Sequence, residues 1–561
     1  MRLLKKLCFF LLASGLALGQ ASAPDNSGQA GTGSVADELK ALRESIAQHQ
    51  QQITRQQQQI NALTKELNGG ATAAPRMVDA SLTTSNSAAQ PNVQPVSSAP
   101  VQETERKESP LSFRIGAAEF TPGGFVDFEN VFRSTNTGNV AATSFGAIPF
   151  SNTVAGHLTE YRSTGQYSRF NIKTHAKFGE NDITGYVEFD FNGNDAANVF
   201  VTSNSHTDRI RLYWLDLKRG KWEFLGGQTW GLQTPNRVGV SPNPADLSLG
   251  YHEDAGIGVG YNYTRAGEFR AAYHVNDHFV WAIAAQNPDQ FTNGEVVFPA
   301  AFNAQLGSQL DAANITTTPN LAPDVLTKMA YDSEFGGGRH FHWEGGAMET
   351  AVKVTTLPTV AGSTFNSHIS VGGGIFGDLL VDLFKGSEGR NLRFVGSGMW
   401  GAGIGRYLNG LAPNAVVVPV NAAGATCTLV GINPVGCDAA VSKVHAGDMV
   451  VGFEFAPHSK SQLGVYYGGL YAQRNAFPDL TKTGFPLIGF GGVNSANNNN
   501  RAVQEGTIDW TQTFWKNPQY GAVLLVTQAS YVTRAPWFVA AGAPKNAHLG
   551  MGYVSLRYVL P

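Results

Sequence analysis

Apolar and polar positions alternate along the chain with two different periods, and each predicts a different element. From Val35 the apolar residues recur at +4 and +3. Leu39, Ile46, Ile53, Ile60 and Leu67 fill one heptad position; Val35, Leu42 and Leu63 fill the other, with His49 and Gln56 as polar breaks. That pattern predicts an α-helical coiled coil over 35–68, extending roughly 50 Å at 1.5 Å per residue. The other positions are mostly Gln, Lys, Glu and Arg, so a lone helix would leave the seam from Leu39 to Leu67 exposed, and self-association is expected. A solitary amphipathic helix lying on a globular body is the alternative. Residues 69–110 are rich in Ala, Ser, Pro, Gln and Thr and predict a disordered linker.

Beyond Leu111 the period is two. Phe170, Ile172, Ala176 and Phe178 share one face with Thr174, and Arg169, Asn171, Lys173, His175 and Lys177 share the other. After a Gly-Glu-Asn-Asp turn, Ile183, Gly185, Val187, Phe189 and Phe191 alternate with Thr184, Tyr186, Glu188 and Asp190. Adjacent strands with one apolar and one strongly polar face suit a barrel that is apolar outside and wet inside.

Connection lengths sharpen this. Tight turns fall near 179–182, 218–220, 276–278, 335–339, 456–460 and 516–519, with a longer one at 377–389. Long segments lie at 134–160, 192–207, 231–267, 287–323, 355–366, 402–446, 474–502 and 534–546. Short turns on one rim and eight long loops on the other predict an all-β, antiparallel transmembrane barrel of about 16 strands over 111–561. Both of its ends fall on the short-turn side. The stretch 257–275 accommodates either one strand or a hairpin. In the last strand Gly552, Val554, Leu556, Tyr558 and Leu560 line one face, although the chain finishes on Leu560-Pro561 rather than on an aromatic residue. Sixteen strands leave an aqueous channel, whereas eight would be filled by side chains.

Composition agrees. Of 561 residues, 40 are Lys or Arg and 43 Asp or Glu, for a net charge of −3, so binding to nucleic acid driven by charge is not expected. Charged residues make up 15%, well below the roughly 25% of an ordinary soluble domain. After the N-terminal segment there is no apolar run of the ~18 residues that a membrane-spanning helix needs. Met1 to Lys6 is basic, Leu7 to Leu18 is apolar, and Ala21-Ser-Ala23 offers a cleavage site, with Ala17-Leu-Gly19 as an alternative. Residues 1–23 therefore read as a secretory signal peptide, with Cys8 inside it. The mature chain keeps Cys427 and Cys437, both within the long segment between the eleventh and twelfth strands, and an oxidising compartment predicts their disulfide.

A passive channel needs wall charges rather than a catalytic constellation. The polar face of the second strand offers Arg169, Lys173 and Lys177. That of the fourth offers Arg209 and Arg211, alternating with Ile210, Leu212 and Trp214 expected to face outward. The third offers Glu188 and Asp190 opposite some of those cations. These residues either orient permeating anions or form ordinary wall salt bridges. The loop after Trp230 carries Arg237, Asp246, His252, Glu253 and Asp254. Arg237 there is suited equally to holding a carboxylate bidentately or to anchoring the loop. His340, His342 and Glu344 share a strand face at metal-ligand spacing, but pore-facing polar residues alternate the same way, so no metal is expected. Gly401-Ala-Gly-Ile-Gly405 has no helix after it and is not read as a nucleotide loop. No Ser/His/Asp arrangement points to hydrolysis, and neither enzymatic activity nor a cofactor is expected.

The order of parts, together with Leu225-Gly-Gly-Gln-Thr-Trp-Gly231, Pro323-Asp-Val-Leu-Thr-Lys-Met-Ala-Tyr331 and Gly401-Ala-Gly-Ile-Gly-Arg-Tyr-Leu408, resembles the DcaP-like trimeric outer-membrane porins. The resemblance implies a homotrimer surrounded by outer-membrane lipid and lipopolysaccharide, with the coiled coil in the periplasm. It also implies a constriction loop folded into each pore, for which 231–267 is the candidate, and ion transport that favours small anionic solutes such as dicarboxylates. A structural protein tethering the envelope through its coiled coil is the rival reading. A receptor with a globular N-terminal plug does not fit a coiled coil followed by a linker.

Overall fold

A computed structural model describes residues 109–561, apart from loop stretches at 138–141, 194–205, 248–252, 254–257, 289–296, 308, 311–318 and 410. The signal segment, the coiled coil and nearly all of the linker lie outside the described residues.

Sixteen antiparallel strands close into a barrel. They begin with β1 (Ala118–Arg133), β2 (Glu160–Thr164 and Arg169–Phe178), β3 (Asn181–Asp190) and β4 (Arg209–Arg219). Next come β5 (Trp222–Trp230), β6 (Arg265–His274), β7 (Phe279–Gln286) and β8 (Asp324–Phe335). The third quarter is β9 (Arg339–Thr356), β10 (Asn366–Lys385), β11 (Asn391–Ala402) and β12 (His445–His458). β13 (Ser461–Ala472), β14 (Asn500–Asn517), β15 (Gly521–Pro536) and β16 (Ala547–Val559) complete the circuit. β16 pairs back onto β1 from Phe125↔Val559 to Arg133↔Met551, so no edge is left open. The stretch around 257–275 holds one strand, β6. The second strand begins earlier than its alternation suggested, because both of its halves pair with β1 across a break at Gly165–Ser168.

Outward residues form an apolar surface that would be unstable against water. Val126, Phe128, Ile172, Ile210, Leu215, Ile375, Phe453, Val465, Ile508, Val554 and Leu556 are all exposed on it. Exposed aromatics gather toward both rims: Phe178, Trp222, Phe335, Phe384 and Trp515 by the short turns, and Phe132, Tyr161, Trp400 and Tyr471 by the long loops. That is the arrangement of a barrel set in a bilayer with its aromatic rings at the two interfaces.

The long loops fold over and into the mouth. Phe145, Ile148 and Phe150 of the first pack in one apolar cluster with Leu232, Val240 and Val259 of the third and with Ile404, Tyr407 and Leu408 of the sixth. The sixth also carries a hairpin, Ala415–Asn421 against Cys437–Lys443. Cys427 and Cys437 are disulfide-bonded there, buried beside Phe302 and Leu306 of the fourth loop. Closing so short a loop contributes about 3 kcal/mol in the chain-entropy model. The hairpin is a two-stranded sheet of its own that packs on β9 without joining the wall ladder, so the double Cys→Ser variant is expected to keep its barrel while this loop becomes protease-sensitive. Limited proteolysis of the folded protein checks this, and an unchanged cleavage pattern would contradict it.

Candidate functional site

The described residues of the loop at 231–264 run from β5 across the lumen rather than over it. Backbone groups of its first turns are caught on the inner faces of β8 and β9. Lys328 Nζ donates to Thr234 O at 2.9 Å and to Asn236 Oδ1 at 3.1 Å, and Glu344 accepts the Asn236 N–H at 3.1 Å. Asp332 Oδ2 accepts the Gly239 N–H at 2.8 Å. Arg237 then reaches β12 and donates to both oxygens of Glu454, at 2.9 and 2.5 Å. Further on, the Glu253 carboxylate lies 2.8 Å from Arg557 of β16, and its N–H donates to Gln528 of β15 at 2.8 Å. The Val259 N–H donates to Glu505 of β14 at 2.7 Å. At Gly468 of β13 a side chain would overlap the Val259 carbonyl oxygen, and at Gly260 (φ +94°) one would overlap the Met449 carbonyl. Glycine is required at both places because loop and wall backbones touch. The inward course expected for this loop is thus observed.

Arg237 sits in a buried ion pair, with Tyr466 Oη 3.1 Å from the same Glu454 carboxylate. Of its two candidate roles, it anchors the loop, and its guanidinium is fully engaged. As a substrate contact it is corrected: both of its carboxylate-binding donors already hold Glu454. Asp246 also serves the loop's own fold. Its carboxylate accepts from Ser241 Oγ at 2.7 Å and its carbonyl from the Arg237 N–H at 2.6 Å.

On the opposite wall, β2 to β6 carry a cationic group. Arg209 lies 2.7 Å from Asp190, Arg211 lies 2.9 Å from the same carboxylate, and Arg211 also pairs with Glu188. The acids of the third strand do sit opposite those arginines. Arg211 and Arg265 hold their guanidiniums over Trp230, at 5.6 and 5.7 Å from its ring centre. Arg169 and Arg557 do the same over Phe125, at 5.4 and 4.3 Å. Arg169 Nε is buried without a hydrogen-bond partner. Lys173 is half-buried farther along β2, and Lys177 is exposed beside the short turn, opposite Asp182 in the ladder. Arg209 keeps 35% of its side chain open, whereas Arg211 keeps 6% and acts from beneath the surface.

The expected outward direction of Leu212 and Trp214 is corrected. The register slips between Glu188 and Phe189, which places Arg211 in a β-bulge with Leu212 buried next to it. One extra residue reverses the parity of everything after it. Tyr213 and Leu215 consequently face outward, while Leu212 and Trp214 pack inside with Leu225, Trp230, Tyr261 and Tyr263.

Several important residues were not singled out from the sequence. Arg557 donates to Asp127 at 2.6 Å, tying β16 to β1 where the barrel closes. Both follow from alternation, since Asp127 lies between outward Val126 and Phe128 and Arg557 between Leu556 and Tyr558. Arg265 opens β6 on the opposite parity from the buried Arg270, so alternation alone does not place it beside Trp230. Glu454, by contrast, carries no local signal that it waits for an arginine 217 positions earlier.

No protein-family model matches the sequence, and no curated protein does either. Solved structures do match. The outer membrane channel DcaP of Acinetobacter baumannii superposes with a TM-score of 0.51 at 14% identity, covering 80% of this chain and 99% of that one. OprB of Pseudomonas putida (TM-score 0.41, 10% identity, 78% and 94% covered) and an anion-selective porin from Comamonas acidovorans (0.41, 9%, 79% and 100%) are more distant. What the first likeness establishes is the fold: a 16-stranded barrel of the DcaP kind.

Proposed function

We propose that this chain is an outer-membrane porin, a water-filled channel through which small, mainly anionic solutes such as dicarboxylates diffuse passively. The observation that carries the anion preference is the wall group on β2 to β6. Arg169, Arg209, Arg211 and Arg265 face Glu188 and Asp190 there, an excess of two positive charges beside Trp230. Across the lumen β12 to β14 bear Asp448, Glu505 and Asp509, all buried, besides the Glu454 that Arg237 holds. Opposed walls of unlike sign set up a transverse field in a low-dielectric enclosure, which draws anions along the arginine side. The short-turn rim would face the periplasm, where the coiled coil of 35–68 would join three chains into a homotrimer.

Reversal potential under a salt gradient tests this reading. Purified protein in a bilayer should pass anions in preference to cations, and millimolar dicarboxylate should compete with chloride for the current. A cation-selective channel would sink the anion assignment.

A further inference from the structure

We propose that Asp332 of β8 with His340 and His342 of β9 forms a binding site for one transition-metal dication, which clamps the inward loop to the wall. The ladder sets Asp332 opposite His342 and Glu334 opposite His340, so the three side chains enter the lumen from neighbouring positions. Asp332 Oδ1 lies 2.8 Å from His342 Nδ1 and 3.3 Å from His340 Nε2. One donor atom from each residue falls within 4.8 Å of the others. Metal–ligand bonds of about 2.0–2.2 Å place neighbouring ligands about 3.0–3.4 Å apart, so two of these separations are close to those of a bound site.

The surroundings are those that hold ligands in place. His342 Nε2, the ring nitrogen not aimed at Asp332, lies 3.2 Å from Glu344 Oε1, and the other Glu344 oxygen is held by Lys328 at 2.9 Å. The Glu344 carboxylate thus stands beside this nitrogen without a formed hydrogen bond, in the place from which a carboxylate supports a metal-ligating imidazole. Asp332 Oδ2 is steadied by the Gly239 N–H. A fourth oxygen is at hand, since the Arg237 carbonyl lies 3.1 Å from His340 Nε2. Both histidines are buried, and the part-exposed Asp332 side chain is where an ion would enter. Next to them Asp378 is buried, and its Oδ2 has no hydrogen-bond partner. Asp332, Glu344 and Asp378 together bring three carboxylates to one pocket, of which Lys328 holds only Glu344, so a dication would meet ligands of opposite charge. Two imidazoles with one carboxylate select zinc, nickel, cobalt or copper over magnesium or calcium.

The loop residues at this point, Arg237 and Gly239, belong to the stretch that crosses the lumen. Metal binding therefore fixes the narrow segment of the channel to β8 and β9. The site concerns attachment of the loop and stands whether or not the channel prefers anions.

The test is a titration of chelator-treated, full-length protein in detergent with Co²⁺. Wild type should bind one ion per chain saturably, with visible absorption from imidazole-ligated cobalt that Zn²⁺ then abolishes. Ligand loss costs at least the ~10–100-fold that loss of outer support costs at such sites. The His340→Ala/His342→Ala variant should accordingly lose the visible band and weaken binding by about that factor or more. Heat-modifiable migration in gels will show that the variant barrel is folded. Wild type without saturable binding, or a folded double variant binding as tightly as wild type, would overturn the proposal.

Discussion

Replacing Glu454 with alanine is expected to loosen the inward loop around Arg237 and give a noisier, somewhat larger open-channel current. The Arg237 side chain is 8% exposed and that of Glu454 4%, so the substitution strands a guanidinium in an enclosed site. Removing one partner of a buried ion pair costs about 3–5 kcal/mol, mostly because the remaining charge is left without compensation. Arg393 also approaches this carboxylate, at 3.8 Å, and the neighbouring Asp382 is already held by Arg393 at 2.7 Å, so neither offers the stranded guanidinium a new partner. The contacts of Lys328, Asp332 and Glu344 to 234–239 and those of Gln528, Arg557 and Glu505 to Glu253 and Val259 would remain, so the loop should loosen around Arg237 while staying in the lumen. Arg237→Ala should act in the same direction but more mildly, since Glu454 keeps Tyr466 and Arg393 as neighbours. Single-channel recording separates the outcomes, and a current indistinguishable from wild type in both variants would show that this pair does not hold the constriction.

The second large effect concerns selectivity. Alanine at both Arg209 and Arg211 removes the local positive excess and leaves Glu188 and Asp190 without their arginine partners. In the water-filled lumen, at a dielectric constant of about 80, a unit charge some 10 Å away contributes about 0.4 kcal/mol, so two charges acting with opposite sign on anion and cation shift their difference by about 1.7 kcal/mol. Anion-to-cation permeability should therefore fall by about tenfold at low salt, and by less as ionic strength screens the wall. Arg209 alone should account for most of the change, because its side chain meets the lumen while Arg211 is packed beneath Trp230. Reversal potentials of the single and double variants decide this. Equal selectivity in wild type and double variant would reduce both arginines to wall structure.

How much of this was legible in the sequence depends on the range of the interaction. Strand phase and turn length are local, so 16 strands, the eight long loops and the inward set Arg169, Glu188, Asp190 and Arg209 could be read directly. The disulfide was legible for a similar reason: two cysteines ten positions apart share one loop. Phase failed at Arg211, because a bulge inserts a single residue and an arginine there bears no mark of it. Leu212 and Trp214 were assigned to the lipid side for that reason alone. The loop's attachments were illegible for a different reason. Lys328, Asp332, Glu344 and Glu454 each resemble ordinary pore-facing residues until the topology brings 234–239 across the lumen to meet them. Arg237 shows the limit well: its chemistry was read correctly, but its partner is in the wall rather than in the solute.

The most direct measurement is planar-bilayer conductance of the purified full-length protein. The account predicts stable, ohmic, water-filled channels that close in three equal steps. Protein that inserts as a folded barrel yet passes no current would contradict it and favour a purely structural role in the envelope.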